Sequence, residues 1–372
     1  MTDKEYFYWL SNLYNIGPKK IDMLLQYFGS AEDIFHASIE ALTELKAICR
    51  TDSGVRLFSD EDMDGIINNR NRDVVHHRFT KLIEHGIQFI TKEDCEYPEK
   101  LRHIYTAPYA LYVKGRLPDP ETKCLAVVGA RECSTYGREM AEYLAGAVAK
   151  EGIAIISGLA RGIDSYAHHG ALVAGGKTYG IMGCGIDICY PKENINLYME
   201  MQKEGGIISE YAPGIKPLAG NFPLRNRIIS ALSDGILVIE AREKSGSLIT
   251  VDMGLEQGKD IYAVPGRVTD CLSGGCNNLI KMGAKLITSP KDILEEFIPG
   301  YMQEAKRTEK EGHIPEGNQK LIYSCLSIEP KHIEEIAILT KLPMDTLMEQ
   351  LLLLELGGMV KQSTKNYYMR FF

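Results

Sequence analysis

The sequence predicts an α/β protein: a doubly wound, mostly parallel sheet, preceded by a helical segment and followed by a winged-helix-like module. Three observations carry this reading. Residues 121–298 hold seven short apolar runs separated by helical stretches, as strands buried on both faces and joined by crossover helices would be. Residues 1–115 place apolar side chains at helical spacing. Residues 318–372 give a helix, a helix-turn-helix and two terminal β-like runs.

In the first segment, Leu10, Leu13 and Tyr14 and then Ile21, Leu24, Leu25 and Phe28 mark two helices around Asn15-Ile16-Gly17-Pro18-Lys19-Lys20. That turn reads either as the phosphate-touching hairpin of a helix-hairpin-helix unit or as a plain Gly-Pro turn between packed helices. Prolines at 98, 108, 118 and 120 mark a linker.

The expected strands of the middle domain, residues 121–298, are Leu125–Val128, Ile153–Ser157, Thr178–Met182, Gly206–Ser209, Ile236–Ile239, Ile261–Val264 and Lys285–Ile287. The helices between them are expected at Thr135–Lys150, Asp164–Ala174, Glu193–Lys203, Arg227–Leu232 and Leu248–Gly258. Polar residues 301–316 read as a second linker. In the last module the third helix carries Asp345, Glu349, Gln350 and Glu355 and no cation. That favours a protein contact over groove reading, which needs Arg or Lys facing the bases.

Ligands of such sheets collect at the carboxyl ends of the strands, and the residues suited to binding fall there. Gly129-Ala130-Arg131 follows the first strand, with Ser134 placed to cap the next helix. Ser157-Gly158 through Arg161, Gly162 and Asp164 follow the second. Phe222-Pro223-Leu224-Arg225-Asn226-Arg227 precedes the fifth, and Lys244-Ser245-Gly246-Ser247 opens the helix after it. Rings stack on bases, guanidinium groups pair with phosphates, and helix N-termini offer free N–H groups to anions. The combination points to single-stranded nucleic acid.

The composition limits the other classes. The 372 residues carry 42 Lys and Arg against 50 Asp and Glu, a net charge of −8, and the middle domain holds 18 against 21. A nucleic-acid site must therefore be a local patch, because affinity follows local cations while net charge governs solubility. No apolar run reaches the ~18 residues of a membrane helix, and residues 1–5 do not read as a secretory signal. Nine cysteines with no Cys-x-x-Cys spacing fit reduced cytoplasmic thiols rather than zinc. Neither Gly-x-Gly-x-x-Gly nor a P-loop occurs. His168 and His169 read as packing or surface groups, Ser245 and Ser247 as caps without a base, and Asp164, Asp187 and Glu240 as carboxylates that cap helices or orient arginines. No cofactor, metal or catalytic residue is expected.

Gly129-Ala130-Arg131, Ser157-Gly158 through Asp164, Phe222-Pro223 with Arg225-Asn226-Arg227-Ile228-Ile229, Ser245 through Thr250, and Ala263-Val264-Pro265-Gly266 resemble the motifs of the DNA-processing protein A family (DprA, also called Smf). The resemblance is close over 121–290, and the flanking segments fit the family's N-terminal SAM or helix-hairpin-helix-like and C-terminal winged-helix extensions. It implies an extended Rossmann-like domain that binds single-stranded DNA without sequence preference. It also implies dimerisation through that domain and loading of the RecA recombinase in natural transformation.

Residue by residue, the resemblance makes Arg131 the phosphate-binding arginine and Phe222 the stacking ring, flanked by Arg225 and Arg227, with Lys244 and Ser245–Ser247 as the second half of the pocket. Gly129, Ser134, Gly158, Arg161, Gly246 and Asn226 complete the expected set. The chain departs from the family at Ala130, usually Ser. It also departs at Ala219-Gly220-Asn221, where some relatives carry a basic residue, and Lys216 is the expected substitute. The rival class is a nucleotide-processing hydrolase of the lysine-decarboxylase-like phosphoribohydrolase type, whose Pro-Gly-Gly-x-Gly-Thr turn precedes a catalytic Glu. The equivalent turn here is Lys244-Ser245-Gly246-Ser247, with Glu256 far along the helix.

Overall fold

The computed structural model describes residues 1–50, 54–301, 317–327 and 329–370. The linker expected over 301–316 lies, apart from Tyr301, outside the described residues. Residues Met1–Phe297 form one compact unit and Ile298–Phe372 a second.

In the first unit six helices come first: α1 (Asp3–Ser11), α2 (Pro18–Phe28), α3 (Ala31–His36), α4 (Ile39–Ile48), α5 (Asp60–Asn68) and α6 (Arg72–Glu84). The helical reading of residues 1–115 holds through Glu84 and fails beyond it. Strand β1 (Gln88–Thr91), the one-turn helix α7 (Glu99–Arg102) and strand β2 (Ala110–Gly115) follow. Both strands are too short to show a period against their surroundings, yet Phe89, Ile90, Leu111, Tyr112 and Val113 are all buried. The break expected between 115 and 121 therefore lies inside one packed unit, since β2 pairs antiparallel with a strand of the middle domain.

The middle segment then alternates: β3 (Cys124–Val128), α8 (Thr135–Lys150), β4 (Ala154–Ser157), α9 (Ile163–Val173), β5 (Thr178–Met182), α10 (Ile195–Glu204), β6 (Gly206–Ser209), α11 (Asn221–Leu232), β7 (Gly235–Val238), α12 (Gly246–Glu256), β8 (Asp260–Ala263), α13 (Gly274–Lys281), β9 (Lys285–Leu286) and α14 (Pro290–Phe297). The sheet order is β1-β2-β6-β5-β4-β3-β7-β8-β9. From β6 to β9 every pairing is parallel, and β1 and β2 extend that edge antiparallel.

The chain winds outward from β3 to β6, then returns to β7 on the other side of β3. The carboxyl ends of β3 and β7 thus flank the switch point, where doubly wound sheets open a crevice. One core packs α11 and α12, through Ile228, Ile229 and Val251, against Val128, Ile156 and Ile236. Another joins Trp9, Leu24, Ile34 and Ile66 of the N-terminal helices to Phe89, Tyr112 and Met182.

The main departure from the expected elements is the start of α11, six residues earlier than the Arg227 predicted. Pro223 reads as a breaker, but it occupies the first turn, where its missing N–H and fixed φ cost nothing. This places Phe222 and Arg225 on the opening turns of a helix rather than on a loop.

The second unit is a winged helix. Helices Gly317–Cys325, Ile333–Thr340 and Met344–Leu356 pack through Ile322, Ile336, Leu347, Leu351 and Leu354. Strands Lys331–His332, Val360–Thr364 and Tyr367–Arg370 form its sheet.

Candidate functional site

Three segments meet at the switch point and enclose a cleft of about 580 Å³. They are the turn after β3, the turn between β7 and α12, and the opening of α11. The first two touch because residue 129 has no side chain: a Cβ there would lie 2.6 Å from Ile163 Cγ1 and 2.9 Å from the Glu240 carbonyl oxygen. Ala130 N–H donates to that carbonyl at 2.8 Å, and Ile163 N–H donates to the Ala130 carbonyl at 3.2 Å. Glu240, 2% exposed, accepts from the Ser134 amide at 2.9 Å and from the Ser134 hydroxyl, while Ser134 Oγ caps α8 through Gly137 N–H at 3.0 Å. The carboxylate thus locks the turn that carries Arg131.

Arg131 is exposed, and its guanidinium carbon lies 5.8 Å from the centroid of the half-buried Phe222 ring. Tyr190 backs the same ring at 5.5 Å and 34°. Opposite them stand Arg242 and Lys244, also exposed. Among the described residues none of these three cations forms an ion pair. Helix α12 opens into the cleft with Ser245 as its cap, Ser245 Oγ lying 2.8 Å from Ser247 Oγ. Neither α11 nor α12 has an acid in its first turn. Both positive helix ends are therefore left to an external anion.

Nine of the expected residues line this cleft: Gly129, Arg131, Phe222, Arg225, Asn226, Lys244, Ser245, Gly246 and Ser247. Five do not. Ser134 and Gly158 lie behind it, the first as a cap and the second against the Arg225 guanidinium. Arg161 is exposed and pairs with Glu193 at 2.6 Å. Lys216 is exposed outside the lining. Arg227 is buried, donating to Glu210 at 2.7 Å and to the Thr106 carbonyl at 2.9 Å, so its packing role displaces the phosphate role expected of it. Arg242 was not anticipated. Its only signal in the sequence is its place two residues before Lys244.

Arg225 lines the floor rather than the wall. It is 4% exposed and donates to the carbonyls of Gly158, at 2.9 Å, and Ile181. Burial, with Arg131 nearby, lowers its pKa to about 10, so it stays charged at neutral pH. Beneath it Asp164 accepts from Gly158 N–H at 3.0 Å, and burial raises its carboxyl pKa against the pull of Arg225.

The catalytic alternatives find no geometry. His168 is fully buried and turned to Thr178 Oγ1 at 2.6 Å, while His169 meets Glu142 at 3.1 Å. Ser245 and Ser247 face each other and a helix end. Asp164, Asp187 and Glu240 each serve separate backbone amides, and among the described residues no three potential metal ligands converge. Glu256 closes the far end of α12, about 15 Å from the cleft by helical rise. No helix among the described residues is long and apolar enough to cross a membrane.

The class is thus a Rossmann-like protein whose switch-point cleft sets unpaired cations and two helix N-termini around an aromatic ring. The DNA recombination-mediator protein A model matches residues 88–298, and the DprA winged helix domain model matches 306–364. The chain belongs to that family of DNA-processing recombination mediators, DprA/Smf.

A Smf protein of Synechocystis is 32% identical over the full length of both chains. The DNA processing protein DprA of Streptococcus pneumoniae is 46% identical over 209 residues, 56% of this chain and 73% of that one. The X-ray structure of DprA from the same species superposes with a TM-score of 0.65 at 34% identity, over 80% of this chain and 98% of that one. DNA processing protein A of Helicobacter pylori, whose structure concerns a single-stranded DNA binding mode, superposes at 0.51 with 30% identity, over 57% and 96%.

Proposed function

We propose that this chain binds single-stranded DNA without sequence preference, in the cleft between β3 and β7, and acts without catalysis. Arg131, Arg242 and Lys244 take phosphates, the amides at the start of α12 take another, and Phe222 stacks a base at roughly 1–3 kcal/mol. The observation that carries the reading is three unpaired cations beside an accessible ring in a protein of net charge −8. The DNA-binding H. pylori relative supports it. As a recombination mediator the chain works as a homodimer in the cytoplasm and passes the strand to a RecA-type recombinase. The exposed Met348, Leu352 and Leu356 on the third helix of the winged module fit a protein partner better than a DNA groove.

The test is fluorescence anisotropy with oligo-dT and with duplex DNA at several salt concentrations. Preference for the single strand, a steep salt slope and loss of affinity in Arg131→Ala and Phe222→Ala are expected. Unchanged affinity in both variants would remove the site, and release of free base from nucleoside monophosphates would favour the hydrolase class.

A further inference from the structure

A second cleft, of about 680 Å³, opens farther along the same sheet edge, where α1, α5 and α6 meet the loops after β5 and β6. Its lining includes Arg78, Lys81 and Lys114, with Asn68 and Asn69 beside them and Asp187 as its one acid. Arg78 and Lys81 are exposed, and Lys114 is half-buried with its ammonium 5.7 Å from the Tyr198 ring. None of the three forms an ion pair among the described residues. The one carboxylate is held by the Gly214 amide at 2.8 Å. Of the rings in the lining, Tyr8 and Trp9 are 7% and 3% exposed, and the exposed His85 has Nδ1 2.7 Å from the Lys81 carbonyl, so the cleft suits phosphates more than stacked bases.

The two clefts share their walls. The loop after β5 touches Phe222 at both ends, through Gly183, where a Cβ would lie 2.8 Å from the ring, and through Tyr190, while its middle supplies Asp187 to the second cleft. The loop after β6 supplies Ala212 and Ile215 to the second cleft and Ala219 to the first, and runs straight into α11, which carries Phe222. Residue 219 is four positions on from 215, so those walls lie within about 14 Å of each other. The exposed Lys216, which forms no ion pair among the described residues, stands on that connection.

We propose that the second cleft carries the sugar-phosphate backbone of the same DNA strand onward from Phe222, by way of Lys216 to Lys114, Arg78 and Lys81. The inference rests on the single-strand reading of the first cleft and extends it: the N-terminal helices become part of the binding track.

The experiment compares an oligo-dT of about six nucleotides, enough for one cleft, with one of about twenty. Each is titrated against the full chain and against Arg78→Ala/Lys81→Ala, both exposed positions, with thermal melting as the check that the variant keeps its fold. The variant is expected to bind the short oligonucleotide as the wild type does. It should bind the long one about tenfold more weakly, with a log–log salt slope smaller by about 1.4, the value for two lost phosphate contacts on a single strand. Lys216→Ala should likewise weaken only the long one. Equal long-strand affinity in variant and wild type overturns this proposal alone, as does an equal loss on both lengths. Binding of neither length by the wild type overturns it together with the function it rests on.

Discussion

Arg131 and Phe222, 91 positions apart in sequence, sit with guanidinium over ring at 5.8 Å. In the proposed binding mode the pair makes one composite surface, in which the ring, backed by Tyr190, steadies the cation that would meet a phosphate. A double-mutant cycle on DNA affinity should therefore be non-additive. Each single alanine should cost about 1–3 kcal/mol of binding, and the double variant less than the sum by about 0.5–1 kcal/mol, the worth of an exposed cation–π contact. Strict additivity would mean that the two act on separate parts of the strand.

Arg225 behaves differently despite lying in the same cleft. Its donors are committed to the Gly158 and Ile181 carbonyls, and its side chain is buried. Arg225→Ala orphans two carbonyls and leaves Asp164 without its nearby positive charge, so a loss of about 3 kcal/mol of folding stability is expected. Thermal melting will fall in Arg225→Ala and hold in Arg131→Ala. If both melt as the wild type does, Arg225 is a ligand-facing cation after all.

Continuous apolar strands made the parallel sheet legible: Thr178–Met182 and Gly206–Ser209 fall where their sequences place them. Their carboxyl ends in turn located the cleft. The antiparallel β1 and β2 were not legible, because four to six residues give no period and β2, which holds β1 in the sheet, finds its own partner β6 over 90 residues away. Within the site, residue type announced cations but not their direction. Arg225, Arg227 and Arg242 look equivalent in sequence, yet the first two are buried from α11 against separate partners, while the third stands exposed on the turn after β7. Lys216 and Arg161 sat near motif residues in sequence while their side chains lie outside the lining.

Gly137 and Glu240 form a tight lock. A Cβ on Gly137 would come within 2.3 Å of the Glu240 carboxylate, which already holds the Ser134 amide and hydroxyl. Gly137→Ala should destabilise the protein by about 1–3 kcal/mol through overpacking and weaken DNA binding by shifting the Arg131 turn. Glu240→Ala alone also costs stability, since the Ser134 groups lose their acceptor. Adding it to Gly137→Ala should cost less than its own single-variant loss, because the clash is gone. Chemical denaturation of the four proteins checks this, and simple additivity would rule out the lock.

The sheet also carries an acid sensitivity at a defined residue. Thr178 Oγ1 donates to the Ile155 carbonyl at 2.9 Å, so toward His168 it can only accept, which fixes the histidine proton on Nδ1. The other ring nitrogen, Nε2, is buried with no partner. Charging the ring would place an N–H where nothing accepts it, and burial, with Arg225 nearby, holds the pKa down to about 3. The folded value is depressed below the unfolded one near 6.5. The stability contribution is thus fully present above about pH 6.5 and is lost as pH falls toward 3, by at most about 1.4 kcal/mol per pH unit. His168→Gln keeps an N–H for Thr178 and cannot titrate. Its denaturation midpoint should start lower at pH 7.5 from imperfect packing, then fall less steeply than the wild type between pH 6.5 and 4.5. Parallel pH profiles for the two proteins would show that His168 is not the group being charged.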